Sequence, residues 1–158
     1  MRAILLAMML AWLVGGAQQA QAAPKPFEPD SLGQMVAAHK GKPFVLIVWS
    51  LDCEFCQASL AVLAKEKLTH PALRLVTLST DAQGDAQTDA AVEDRLRSLG
   101  LNAEAWAFGG APPEQLRYAI DPKWQGEMPR SYWFDAQGKS VAYSGVLSAA
   151  TIARLSRK

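Results

Sequence analysis

Cys53-Glu54-Phe55-Cys56 places two cysteines three residues apart, and they are the only cysteines in the 158-residue chain. Before them runs an unbroken apolar stretch, Phe44-Val45-Leu46-Ile47-Val48-Trp49, rich in β-branched and aromatic residues. Such a run reads as a strand buried on both faces. After them, Gln57 to Leu68 contains no Gly or Pro, places Leu60, Leu63 and Ala64 on one face, and carries Lys65 and Lys67 in the last turn, which predicts a helix. The pair therefore lies where a buried strand feeds directly into a helix. Unpaired backbone N–H groups and the positive end of the helix dipole stabilise a thiolate there, which makes Cys53 a nucleophile.

A structural disulfide is the first alternative. Closing a four-residue loop removes only about 2 kcal/mol of unfolded-chain entropy, so the spacing suits a staple poorly. Zinc is the second. Cys53, Cys56 and His70 begin a ligand pattern, but no histidine follows His70 to complete it. Redox chemistry is the reading the spacing favours.

The first residues have the form of a secretory signal peptide. Arg2 supplies a positive start, Ala3 to Val14 an apolar stretch too short to span a bilayer comfortably, and Ala20-Gln21-Ala22 a small-x-small cleavage site. Residues 1–22 are thus expected to be removed, with an uncleaved membrane anchor as the alternative. Export places the cysteines outside the reducing cytosol, in the periplasm or beyond, where a disulfide persists until a dedicated donor reduces it. Loss of Arg2 brings the 16 basic residues level with the 15 acidic ones. A neutral chain has no electrostatic footprint for nucleic acid. What remains is one domain's worth, enough for a core that needs no disulfide.

Along the mature chain, residues 23–33 read as an extended, proline-rich lead-in and 34–158 as the domain. A helix is expected from Asp30 or Ser31 through His39, ended by Gly41. Pro71 precedes a second strand over Leu73–Thr80, Asp81–Thr88 reads as a solvated polar loop, and Asp89–Leu99 as a helix closed by Gly100. Asp81, Asp85 and Asp89 recur at a spacing of four but lack the glycine and glutamate of a calcium loop. A short strand over Ala103–Phe108 leads to Gly109-Gly110, and Pro112-Pro113 opens a short helix. Strands at Tyr132–Asp135 and Val141–Ser144 flank Ala136-Gln137-Gly138-Lys139, a hairpin signal, and Ser148 caps a final basic-ended helix. Strands alternating with helices and closing in a hairpin imply an α/β three-layer fold.

This order, with the cysteine pair at the first strand-to-helix junction and Gly126-Glu127-Met128-Pro129 just before the hairpin, resembles the thioredoxin-like fold, and more closely the exported TlpA/ResA/CcmG type of thiol–disulfide oxidoreductase. Such proteins carry an extra strand–helix insertion between the active-site helix and the proline strand, for which residues 57–128 leave room. The resemblance implies a central mixed sheet flanked by helices, Cys53 as the attacking and Cys56 as the resolving thiol, and a cis Pro129 facing them. A proline opposite the pair has no N–H to compete for the thiolate, and Met128 can offer its backbone to an extended substrate. The chain departs from the usual pattern at Asp52 (commonly Trp), Ser59 (Glu), Ala61 (Pro) and Arg130 (Thr). Loss of the helix glutamate removes a proton-handling group, and with it the case for specialisation in cytochrome maturation.

The resulting expectation is an exported reductant of protein disulfides, acting as a monomer without a cofactor or metal and recharged by a membrane electron donor. Copper handling through Cys53, Cys56 and Met128, or a redox-inert binding module, is the alternative. Trp49, Trp106, Trp124 and Trp133 read as core or as a substrate groove. Trp49, beside the cysteine loop, and Trp124, in the loop before the proline, join Met128, Pro129 and Arg130 as candidate substrate contacts. Asp52 and Glu54 flank Cys53 with negative charge that opposes a thiolate, which argues for a reductant nearer thioredoxin than a strong oxidant such as DsbA.

Overall fold

A computed structural model describes residues 23–157; the expected signal peptide, residues 1–22, lies outside the described residues. The elements run β1 (Lys25–Phe27), α1 (Ser31–Ala38), β2 (Phe44–Trp49), α2 (Glu54–Thr69), β3 (Leu75–Ser79), α3 (Ala86–Ser98), a 3-10 turn (Asn102–Glu104), β4 (Ala105–Phe108), α4 (Pro113–Ile120), β5 (Arg130–Phe134), β6 (Ser140–Ser144) and α5 (Ala149–Leu155). The strands form one six-stranded sheet in the order β1-β4-β3-β2-β5-β6. The first four are parallel; β5 runs antiparallel to β2, and β6 pairs antiparallel with β5 at the edge.

Alternation along β2 explains its unbroken apolar run, because successive side chains of a strand point to opposite faces. Val45, Ile47 and Trp49 join Leu60 and Leu63 of α2, Val92 and Leu96 of α3, and Ile152 and Leu155 of α5 in one core. Phe44, Leu46 and Val48 join Phe27, Met35 of α1, Leu116 and Ile120 of α4, and Trp106 and Phe108 in the other. Every residue of β2 is buried because both faces are covered. The same parity operates in β5, where Trp133 faces the first core and Tyr132 and Phe134 the second.

The strands shift by one or two residues at their ends from the sequence reading, with Asn102–Glu104 a 3-10 turn before β4, and three larger differences each have a local reason. The lead-in 23–33 contains a paired strand and the start of α1: β1 hydrogen-bonds alongside β4, and Phe27 is fully buried. Gly109 permits this approach, since its N–H donates to the Phe27 carbonyl at 3.0 Å and a Cβ there would collide with the Glu28 side chain. α2 begins at Glu54, before Gln57, because Cys53 caps it. α3 begins at Ala86, before Asp89, because the Asp85 carboxylate accepts the Thr88 N–H at 2.8 Å. The polar loop is therefore not simply solvated: Asp89 accepts the Gly84 N–H, and Asp81 reaches across to the cysteine loop.

Candidate functional site

Residues 50–53 leave the carboxyl end of β2 and turn into α2, and side chains from three directions fix that turn. The Leu51 N–H donates to Asp81 Oδ2 at 2.9 Å, and the same oxygen accepts the Ser79 hydroxyl at 2.6 Å. Gln57 Nε2 donates to the Ser50 and Leu51 carbonyls at 3.0 and 3.3 Å, while Arg95 of α3 donates through Nε to Gln57 Oε1 at 2.6 Å. Cys53 occupies the N-cap position, and its Sγ accepts the Cys56 N–H at 3.1 Å. The two sulfurs are joined as a disulfide. Cys56 is 0% exposed, whereas Cys53 is partly exposed at the rim of the first core.

Opposite stands the turn into β5. The Met128–Pro129 peptide is cis, Pro129 is buried, and its carbonyl accepts the Gly145 N–H at 3.0 Å. Met128 packs against both cores, and the Thr80 hydroxyl lies 4.0 Å from its sulfur. Two residues beyond Gly145, the Leu147 N–H donates to Ser59 Oγ at 3.0 Å, one turn along α2 from Cys56. Ser59, where the related pattern has glutamate, is fully buried and also bonds the Phe55 carbonyl at 3.1 Å. These ties bring the 145–147 loop beside the cysteines. Val146 is 44% exposed there, and Phe55, between the cysteines, is 63% exposed. Neither was singled out from sequence, although a phenylalanine at the exposed first turn of a helix is an available signal.

The sequence candidates separate. Cys53, Cys56 and Met128 meet at one core, and the register of Arg130 with Val48 sets Pro129 at the same end of the sheet, with Asp52 and Glu54 exposed beside Cys53. Trp49 does not join them as a surface: it shares the parity of Val45 and Ile47 and is 0% exposed in the core, so a substrate cannot reach it. Trp124 is likewise buried, in the second core, and its Nε1 donates to the Glu127 carbonyl at 2.8 Å. It supports the loop rather than lining an approach.

Arg130 does not face the cysteines either. It shares the face of Tyr132 and Phe134, opposite the face carrying α2, and only 13% of its side chain is exposed. Its guanidinium donates to Asp121 Oδ2 at 2.8 Å, Glu127 Oε1 at 2.8 Å, Ser144 Oγ at 2.6 Å and the Tyr132 hydroxyl at 3.2 Å. Burial alone would raise the Asp121 carboxyl, but the Lys123 N–H, the Arg130 guanidinium and the Tyr132 hydroxyl outweigh it and hold Asp121 below the usual range. Glu127 is lowered similarly, against burial, by the Ser144 hydroxyl, its own backbone N–H and the charge of Arg130. Burial pushes Tyr132 up to about 12, so it remains a donor to Asp121. The arginine is thus the hub that fastens the 121–127 loop to β5 and β6.

Among the described residues, no group of three or more histidine, cysteine, aspartate or glutamate side chains is placed to hold a metal ion. No helix among them is long and apolar enough to cross a membrane.

Solved structures with the same architecture include several thiol–disulfide proteins. A secreted disulfide oxidoreductase of Mycobacterium tuberculosis, homologous to E. coli DsbE, matches with a TM-score of 0.58 at 21% identity, covering 77% of this chain and 86% of that one. A thiol:disulfide interchange protein of the thioredoxin family from Chlorobium tepidum gives a TM-score of 0.55 at 20% identity, over 77% of this chain and 81% of its own. A DsbF homologue from Corynebacterium diphtheriae gives 0.60 at 16% identity, over 76% and 73%. No protein-family model matches the chain, and no curated protein matches it. The central mixed sheet with helices on both faces is a thioredoxin-like fold.

Proposed function

We propose that this protein is an exported thiol–disulfide oxidoreductase that reduces protein disulfides. The observation that carries this reading is the capping geometry: a partly exposed Cys53 sulfur 3.1 Å from the Cys56 N–H, with the second sulfur buried one turn into the helix. In the reduced protein that N–H and the helix dipole favour a Cys53 thiolate. The thiolate attacks one sulfur of a substrate disulfide, and the other substrate sulfur departs as a thiolate. Cys56, deprotonated, then attacks Cys53 Sγ in the mixed disulfide, restoring the internal disulfide and releasing the second substrate thiolate. Two electrons pass to the substrate, and an external dithiol must return them, which we assign to a membrane donor. Met128 offers backbone to the bound strand, Pro129 keeps an N–H from competing for the sulfur, and Phe55 and Val146 form an apolar rim for the substrate. Residues 1–22 serve as the export signal and the protein acts as a monomer.

The test is a Cys56→Ser variant, which can attack but cannot resolve. It is expected to accumulate mixed disulfides with exported proteins, released by dithiothreitol. Absence of any adduct with Cys56→Ser, together with no disulfide reduction by wild type, would remove the assignment.

A further inference from the structure

The turn carrying Cys53 is held by more than its own backbone. The Ser50 carbonyl receives the Cys53 N–H at a long 3.4 Å and Gln57 Nε2 at 3.0 Å. Gln57 directs its second N–H to the Leu51 carbonyl, so one side-chain amide holds two consecutive carbonyls. Its orientation is not free. Arg95 Nε, 2.6 Å from Oε1, obliges the oxygen to face α3 and the nitrogen to face the loop. A charged donor on the amide oxygen also polarises the N–H groups and strengthens the bonds they make. Arg95 is half-buried, and among the described residues no carboxylate lies within ion-pair distance of it. Its neighbour Arg97 pairs instead with Glu93 and Asp94, and its side chain makes no hydrogen bond to the loop.

We infer that Gln57, oriented by Arg95, is a positioning residue for the attacking thiol; the inference rests on the oxidoreductase reading above. In the oxidised protein the disulfide itself fixes Cys53. On reduction that bond opens, and the position of Sγ over the Cys56 N–H depends on the 50–52 turn, held by Asp81 on one side and Gln57 on the other. The charged groups around the turn are Asp52, Glu54, Asp81 and Arg95. Without the Gln57 amide, the turn relaxes, Sγ leaves the helix N-terminus, and the thiolate loses the N–H groups that favour it.

The experiment measures the pH profile of Cys53 alkylation in reduced protein, in parallel with thermal melts, for Gln57→Met, Gln57→Glu, Arg95→Met, Arg95→Lys and Arg97→Met. Gln57→Glu keeps an acceptor for Arg95 but has no N–H for the carbonyls, so it separates loop holding from helix bracing. Both Gln57 variants are expected to alkylate about fivefold more slowly at neutral pH, the ordinary worth of one hydrogen bond, with the inflection moved to higher pH. Arg95→Met is expected to produce about half of that effect on a logarithmic scale, with Arg95→Lys restoring most of it. Arg97→Met removes a cation from the same helix and leaves the profile unchanged. A wild-type profile in Gln57→Met, or slowing that follows only the melting temperature across the series, overturns the inference. If wild type reduces no protein disulfide, the functional reading falls, while the alkylation profiles still decide the role of Gln57.

Discussion

One helical turn separates Cys53 from Cys56, and it gives them different surroundings: partial exposure and a backbone N–H for the first, complete burial for the second. Alkylation of the reduced protein at neutral pH is accordingly expected to modify Cys53 well before Cys56, read by peptide mass mapping; equal labelling would reverse the assigned roles. Asp52 and Glu54 are both exposed, so water screens their effect on the sulfur. Replacing them as Asp52→Asn/Glu54→Gln should make the protein more oxidising in a glutathione titration, but by less than about 30 mV, a tenfold change in equilibrium constant. A more reducing double variant would show the electrostatic argument to be wrong. The cysteines were legible in the sequence because their chemistry and spacing are local. The core position of Trp49, read above as a candidate substrate contact, was legible only in its parity with Val45 and Ile47. The burial of Trp124 and the partners of Arg130 were not, because Asp121, Glu127, Ser144 and Tyr132 meet only after three separate segments fold together.

At the scale of elements, the caps set the helix starts, and one of them is the nucleophile's own sulfur. Hydrophobic periodicity located the major elements but not β1, whose three residues are too few for a periodic signal and which follows Pro24 and contains Pro26. Burial decides its importance. Phe27 is fully buried in the core shared with α1 and α4, so Phe27→Ala is expected to lower unfolding free energy by about 3–5 kcal/mol, measured by urea denaturation. A negligible loss would mean that β1 is an ornament to the sheet. The 121–127 loop carries a pH dependence. Asp121 and Glu127 are held below their ordinary values of 3.8 and 4.5, so they bind fewer protons folded than unfolded. Their contribution is complete above those ordinary values and is lost as pH falls through the depressed ones. The urea midpoint should therefore drop on acidification below about pH 4.5, and Arg130→Met should lower it at neutral pH while flattening the acid slope. An unchanged slope in Arg130→Met would separate the arginine from that dependence.

For the molecule as a whole, the cysteine turn and the proline turn both lie at the end where β2 and β3 finish, the end at which open α/β sheets gather their ligands. Export belongs to this scale too: the mature protein is expected to begin at Ala23, and intact mass spectrometry of the exported material reads it directly; a species retaining residues 1–22 in the membrane fraction would identify an anchored form. The disulfide closes a loop of only four residues inside one helical turn, so neither core is cross-linked by it. Folding and oxidation therefore form a closed thermodynamic cycle with four corners: folded and unfolded, each with or without the bond. Around that cycle the difference in unfolding free energy between the oxidised and reduced forms must equal the difference in reduction potential between the unfolded and folded chain, at about 1.4 kcal/mol for each 30 mV. Two denaturation curves, one with and one without dithiothreitol, thus measure the electron-donating power of the protein without any redox partner, and a reductant is the case in which the oxidised curve lies to higher denaturant.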